Sequence, residues 1–220
     1  MKSVRIWFKK YGAAKYISHL DMNRCMTRAV RRAEIPLWYT EGFNPHPYMT
    51  FLMPLPLGQE GMREPLDIRI EGEMTEAEVM QALNSVMPEG VAVVDVTEPQ
   101  MKPNCIDAAR YEIRAEFDCP ETAEAFAAAC VPTVEAGGLM AEKTSKRGVK
   151  QVDLCEFVRS FKAHSEGKTA VFETVLAAGN VKNLNAQLLF DTLCAAFGAE
   201  CESFSIVRTA LLTEELKDFK

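Results

Sequence analysis

The stretch KYISHLDMNRCMTRAVRRA, residues 15–33, followed by the turn Gly42-Phe43-Asn44-Pro45-His46-Pro47, organises the reading of this chain. On a helix advancing about 100° per residue, Met22, Cys25, Met26, Ala29, Val30 and Ala33 gather on one side. Arg24, Arg28 and Arg31 gather on the other, with Arg32 at the edge between them. The spacing predicts an amphipathic helix over Asp21 to Ala33, with Ser18 or Asp21 as N-cap and its apolar stripe packed on a sheet. No acidic residue stands four positions from any of these arginines, so the ridge reads as unpaired and suited to a polyanion rather than as an ordinary solvated face.

Outward from this helix the elements fall into a recognisable order. Val4 to Phe8 is a β-rich start, Pro36 to Tyr39 reads as a strand, and Met49 to Met53 resumes one before Pro54 to Gly58 breaks it. Leu66-Asp67-Ile68-Arg69-Ile70 alternates as a half-buried strand should. Thr75-x-x-Glu78 opens a helix to about Val86, and Val91 to Val96 follows as an inner strand. The order β-α-β-β-α-β predicts a ferredoxin-like unit over residues 1–98. Residues 99–108 read as a linker.

A similar order begins again. Tyr111 to Phe117 reads as a strand, Pro120 to Cys130 as a short helix, and Leu139 to Lys143 as a strand running into a basic loop, Lys143 to Lys150. Asp153-x-x-Glu156 caps a brief turn, and Phe161 to His164 with Thr169 to Leu176 form a hairpin. Asn185 to Phe197 is amphipathic, with Leu188, Leu189, Leu193 and Phe197 inward and Gly198 as C-cap. Phe204 to Leu212 closes as a strand. The expected fold is therefore α+β: two tandem ferredoxin-like units, 1–98 and 109–220, with antiparallel sheets and helices on one face.

Composition sets bounds on function. The net charge of −6 is unevenly placed. Residues 1–50 carry nine Lys/Arg against three Asp/Glu, and 51–142 carry five against eighteen. Residues 143–182 carry eight against four. Local potential governs phosphate contacts, so the acidic total argues against indiscriminate nucleic-acid binding but not against a basic site. Seven scattered cysteines without a Cys-x-x-Cys pair read as reduced thiols of a cytoplasmic protein. Three histidines without a His/Cys/carboxylate grouping give no metal site, and no phosphate-loop or dinucleotide motif calls for a cofactor. No apolar run is long enough to span a bilayer.

The candidate RNA- or anion-binding residues are Lys15, His19, Arg24, Arg28, Arg31, Asn44, His46, Lys146, Arg147 and Lys150. Asn44 and His46 can donate and accept hydrogen bonds from a loop that Pro45 and Pro47 hold still. Phe43 and Tyr48 beside them offer ring faces on which a base could stack. Gly179 to Asn183 precedes a helix and could favour an anion. His19 or His46 could act as general acid or base, but no local spacing assembles a nucleophilic constellation, so the reading leans away from an enzyme.

These residues resemble a known family. Lys15 to Asp21, then Arg24, Arg28, Arg31, Arg32 and Ala33, then Gly42 to Pro47 and Leu55-Pro56-Leu57-Gly58, are similar to a bacterial radical-SAM-linked family, a domain of unknown function. The match extends loosely through Lys146 to Leu154 and Val207-Arg208-Thr209. The resemblance implies a free-standing form encoded beside a radical-SAM protein, since this chain lacks cluster-binding cysteines. It also implies genomic proximity to ribonuclease E/G and ribosomal proteins. The expected function is an accessory protein presenting RNA or a ribosomal substrate to that partner. The alternatives are a metal-independent endoribonuclease using His19 or His46, resembling CRISPR repeat-processing nucleases, and a protein–protein adaptor.

Overall fold

The structure, a computed structural model, describes residues 1–145, 148–179 and 182–220, without the side chains of 143–145. Among these it is α+β, with four α-helices and mostly antiparallel strands. The chain divides into two compact units, Met1–Pro103 with Lys220, and Asn104–Phe219.

In the first unit the elements are β1 (Lys2–Lys10), α1 (His19–Arg32), β2 (Met49–Phe51), β3 (Glu60–Ile70), α2 (Glu76–Asn84) and β4 (Val91–Thr97). The strands lie in the order β4-β1-β3-β2, all antiparallel. Alternation along β1 sends Val4, Ile6 and Phe8 to one face. There they meet Leu66, Ile68 and Ile70 of β3, the α1 stripe Met22, Met26, Ala29 and Val30, and Val79 and Leu83 of α2. Each such large side chain removed from water contributes about 1.5–3 kcal/mol. This burial, rather than helix propensity, fixes α1 on the sheet.

The ends of α1 and α2 follow local chemistry. Ser18 caps α1, its Oγ accepting from the Asp21 N–H at 3.2 Å. Thr75 and Glu78 form the expected capping box. The Asn84 amide then donates to the Val93 carbonyl and accepts from the Val93 N–H, both at 2.9 Å, tying α2 to β4. Gly90, before β4, has φ +82°, and a Cβ there would lie 2.7 Å from the Ala14 Cβ and 2.8 Å from the Tyr11 carbonyl. Only glycine fits that turn without strain.

On the opposite face of β1, Arg5 is fully buried. Its guanidinium holds both Asp67 carboxylate oxygens, at 2.7 and 2.9 Å, and donates to the carbonyls of Lys220 (2.7 Å) and Met101 (3.0 Å). The expected strand over Pro36 to Tyr39 is instead a pair of isolated bridges, Leu37 to Ile70 and Tyr39 to Pro47. Prolines 36, 45 and 47 lack the N–H that a continuous ladder needs.

The second unit comprises β5 (Ala108–Glu116), α3 (Pro120–Ala136), β6 (Met140–Ser145), β7 (Gly148–Asp153), β8 (Val158–Glu166), β9 (Thr169–Ala177), α4 (Ala186–Phe197) and β10 (Ser203–Leu212). Strands β10-β5-β9-β8 form its sheet and β6-β7 a separate ribbon. The basic stretch read as a loop is therefore largely hairpin, with Lys143 opposite Lys150 and Ser145 opposite Gly148. α3 runs past Pro132 to Ala136, whereas the sequence reading ends it at Cys130. Pro132 lies on the exposed side, as does Ala128, whose carbonyl it leaves without an N–H partner, and the stripe Ala123, Phe126, Ala127, Cys130 and Val134 continues into the core. In α4, Phe190 takes the inward place and stacks edge-on against Phe126 and Phe172. Phe197, expected inside, is 41% exposed. Asn185 and Gly198 cap the helix, the latter in the left-handed conformation. Among the described residues no helix is long and apolar enough to cross a membrane.

Candidate functional site

The arginines of α1 build a groove. Arg24, Arg28 and Arg32, four residues apart along one stripe, line a surface cavity of about 320 Å3 together with Asp21, Cys25, Ala29 and Pro88. Pro88 comes from the turn between α2 and β4, so the groove runs between α1 and that turn. Arg32 is anchored there by donating to the Val86 carbonyl. The sequence reading placed Arg32 at the edge of the stripe and Arg31 on the ridge. The structure seats Arg32 in the groove, and Arg31 is not among its lining residues. The four-residue step 24-28-32 was the available signal. The Pro88 wall, distant in sequence, gave none.

The ridge is also not wholly unpaired. Asp21, three residues before Arg24, accepts from its guanidinium at 3.1 Å. The Ser18 hydroxyl, then Arg24, hold the Asp21 carboxyl below its ordinary value. Among the described residues neither Arg28 nor Arg31 has an ion-pair partner. Burial pushes the Cys25 thiol upward, against the opposing pull of Arg32 and Arg28. It therefore stays protonated and is poorly suited to nucleophilic attack.

His19 begins α1 and meets the edge of Phe51, with ring centroids 5.2 Å apart. With Lys10, Glu64 and Met22 it lines a small cavity of about 20 Å3, separate from the arginine groove. Lys10, buried there, donates to the Ile17 carbonyl at 2.9 Å. Lys15 faces Glu60 at 3.9 Å and lies over the Tyr16 ring.

Asn44 and His46 sit in a clasped turn. The Thr40 N–H donates to the His46 carbonyl (2.9 Å), and the His46 N–H donates to the Thr40 hydroxyl (3.2 Å). His46 Nδ1 lies 3.0 Å from that hydroxyl and 3.3 Å from the Asn44 carbonyl. Nδ1 can donate to the carbonyl or accept from the Thr40 hydroxyl, so either tautomer keeps this nitrogen engaged within the turn while Nε2 has no partner there. Below the turn, the Arg69 guanidinium stacks over Tyr48 at 4.1 Å and over Trp38 at 5.4 Å. Arg69 occupies the polar position of an alternating strand, but its stacking partners depended on a register that the sequence does not show. Phe43 stands at the tip, fully exposed.

Lys150 is exposed on β7 of the second unit. Lys146 and Arg147, and also Asn180 and Val181 of the stretch preceding α4, lie outside the described residues. Among the described residues no group of three or more His, Cys, Asp and Glu could hold a metal ion.

Fold and groove together define a mixed α+β protein with a cationic groove on its first long helix. The chain belongs to the family described as "Uncharacterized protein conserved in bacteria (DUF2344)", which it matches over residues 3–186. No curated protein matches it. A solved structure described as an unknown protein from Galdieria sulphuraria aligns over 93% of this chain and 95% of its own, at 10% identity and a TM-score of 0.27. A score that low carries no argument about fold or function.

Proposed function

We propose that this protein is an RNA-binding accessory factor that presents RNA or a ribosomal substrate to a radical-SAM partner. The observation that carries the RNA part is the groove lined by Arg24, Arg28 and Arg32. Guanidiniums match phosphate oxygens in a planar, two-pronged way, and three along one helix stripe suit successive backbone phosphates. The partner rests on the resemblance alone. Each unit is read as ferredoxin-like: the order β4-β1-β3-β2, and β10-β5-β9-β8 with an inserted ribbon, support that reading. The fold itself hosts many functions and adds nothing to the choice.

The endoribonuclease reading is less well supported. His19 lines a different cavity from the arginines, and one nitrogen of His46 is engaged within its own turn. RNA retained through purification from cells, then sequenced, tests the proposal for wild type against Arg24→Glu/Arg28→Glu. A defined RNA lost from the double variant is the expected result. A wild type free of RNA at low salt overturns it and favours the adaptor.

A further inference from the structure

We infer that the 38–48 ribbon is a base-stacking site and that the RNA bound by this protein is single-stranded there. The inference rests on the RNA reading above and adds a second site and a substrate class to it.

The base of the ribbon brings two rings and a guanidinium together. Tyr48 and Trp38 are neighbours, since the Tyr48 N–H donates to the Trp38 carbonyl at 3.0 Å, and their rings lie 6.1 Å apart. Arg69 joins them through backbone bonds, its carbonyl accepting from Trp38 and its N–H donating to Tyr48. Its guanidinium covers the Tyr48 ring. Thr40 and His46 form the next rung and hold the turn closed. Beyond them the tip carries Phe43 at 106% exposure, following Gly42 at φ +128°.

What occupies Phe43 follows from its surroundings. A protein-docking surface needs contiguous apolar area. Here the bare ring is flanked in sequence by Glu41, Gly42, Asn44, Pro45 and His46, all exposed and none a large apolar side chain, and the ribbon's other exposed large ring is Tyr39, at 40%. An unpaired nucleobase needs only a ring face plus nearby hydrogen-bonding groups for its edge, which Asn44 and the free His46 nitrogen provide. A turn clasped at Thr40 and His46 and stiffened by two prolines holds that ring with little further loss of freedom on binding. Bases within a duplex present no open face to it, so the site selects a single strand.

The test is the affinity of wild type, Phe43→Ala and Phe43→Tyr for a labelled single-stranded RNA and for a duplex of equal length. Phe43 is fully exposed, so Phe43→Ala keeps the fold, which circular dichroism checks. Expected are tighter binding of the single strand, a loss of about fivefold or more in Phe43→Ala on that strand only, and near wild-type binding by Phe43→Tyr. Quenching of tryptophan emission on binding, from Trp38 in the same ribbon, is expected with the single strand and not with the duplex. Equal single-strand binding by Phe43→Ala overturns the stacking site while leaving the groove reading intact. An equal loss on both RNAs also overturns it, because the ring then acts on backbone. Loss of a protein partner with RNA affinity unchanged assigns the tip to protein docking and overturns it as well. No RNA binding by wild type overturns this inference and the reading it rests on.

Discussion

Replacing Arg28 by alanine removes the central cation of the groove without disturbing α1, since Arg28 is exposed and ion-pairs with nothing described. The expected effect is worked from counterion release. If Arg24, Arg28 and Arg32 each neutralise one phosphate of a single strand, log affinity falls with log salt at a slope of about −2, or roughly 0.7 per contact. A fourfold rise in salt, from about 50 to 200 mM, then weakens wild-type binding about 20-fold, and Arg28→Ala only about sevenfold. Arg24→Ala changes the slope less, because Asp21 already answers part of its charge. Arg31→Ala is the control. Arg31 carries the same charge on the same helix but does not line the groove, so its slope should match wild type. Fluorescence anisotropy of a labelled oligonucleotide across a salt series measures all four. Equal slopes for Arg28→Ala and Arg31→Ala would refute the groove in favour of a diffuse positive field, and a wild-type slope near zero would refute phosphate contacts altogether.

Three further outcomes are expected. Asp21→Asn keeps a side chain able to bond Ser18 but removes the one negative charge in the groove. RNA affinity at low salt should then rise roughly threefold, and an unchanged or weaker affinity in the same anisotropy assay would contradict the site. The sign follows from the lowered Asp21 value: the carboxyl is ionised at neutral pH and protonates only as pH falls through that lowered value. The wild-type penalty therefore persists at neutral pH and fades in acid. Arg5→Ala strands Asp67 and two carbonyls and should cost about 3–5 kcal/mol in urea denaturation, so a loss under about 1 kcal/mol would show that water reaches the site. In alkylation followed by mass spectrometry at neutral pH, exposed Cys105 should react well before Cys130 and Cys194, whose thiols burial pushes up to about 12 and about 11.

Much of the fold was legible because it is encoded locally. Thr75 with Glu78 before α2 and Gly198 after α4 mark helix ends through bonds within one turn, and period-two alternation marked Leu66 to Ile70. What escaped depended on distant partners. Whether Phe190 or Phe197 faces inward depends on rings of other elements: both meet Phe126, and Phe190 also meets Phe172. The expected end of α3 at Cys130 fell short, because nothing local says that the Pro132 ring lies on the exposed side of a stripe that continues to Val134. The groove shows the same division. The arginine stripe was visible, but its wall at Pro88, the anchoring of Arg32 at Val86 and the stacking of Arg69 on Tyr48 all required the tertiary structure.

A protein with 31 acidic and 25 basic side chains must segregate its charge to hold a polyanion. Elsewhere in the first unit several cations are met by carboxylates: Lys2 by Glu76, Arg5 by Asp67, Lys15 by Glu60 and Arg63 by Asp95. In the second unit Arg114 meets Glu166 and Arg159 meets Asp107. Such pairs cancel their own fields within a few ångströms, and beyond the Debye length of about 8 Å salt removes the remainder. Along α1 the cancellation is incomplete, with one carboxylate among the three arginines of the groove. The local charge there is opposite in sign to that of the whole molecule. Negative net charge thus restricts where a phosphate backbone can land, and the groove on α1 is one place in the first unit where cations outnumber the carboxylates that meet them.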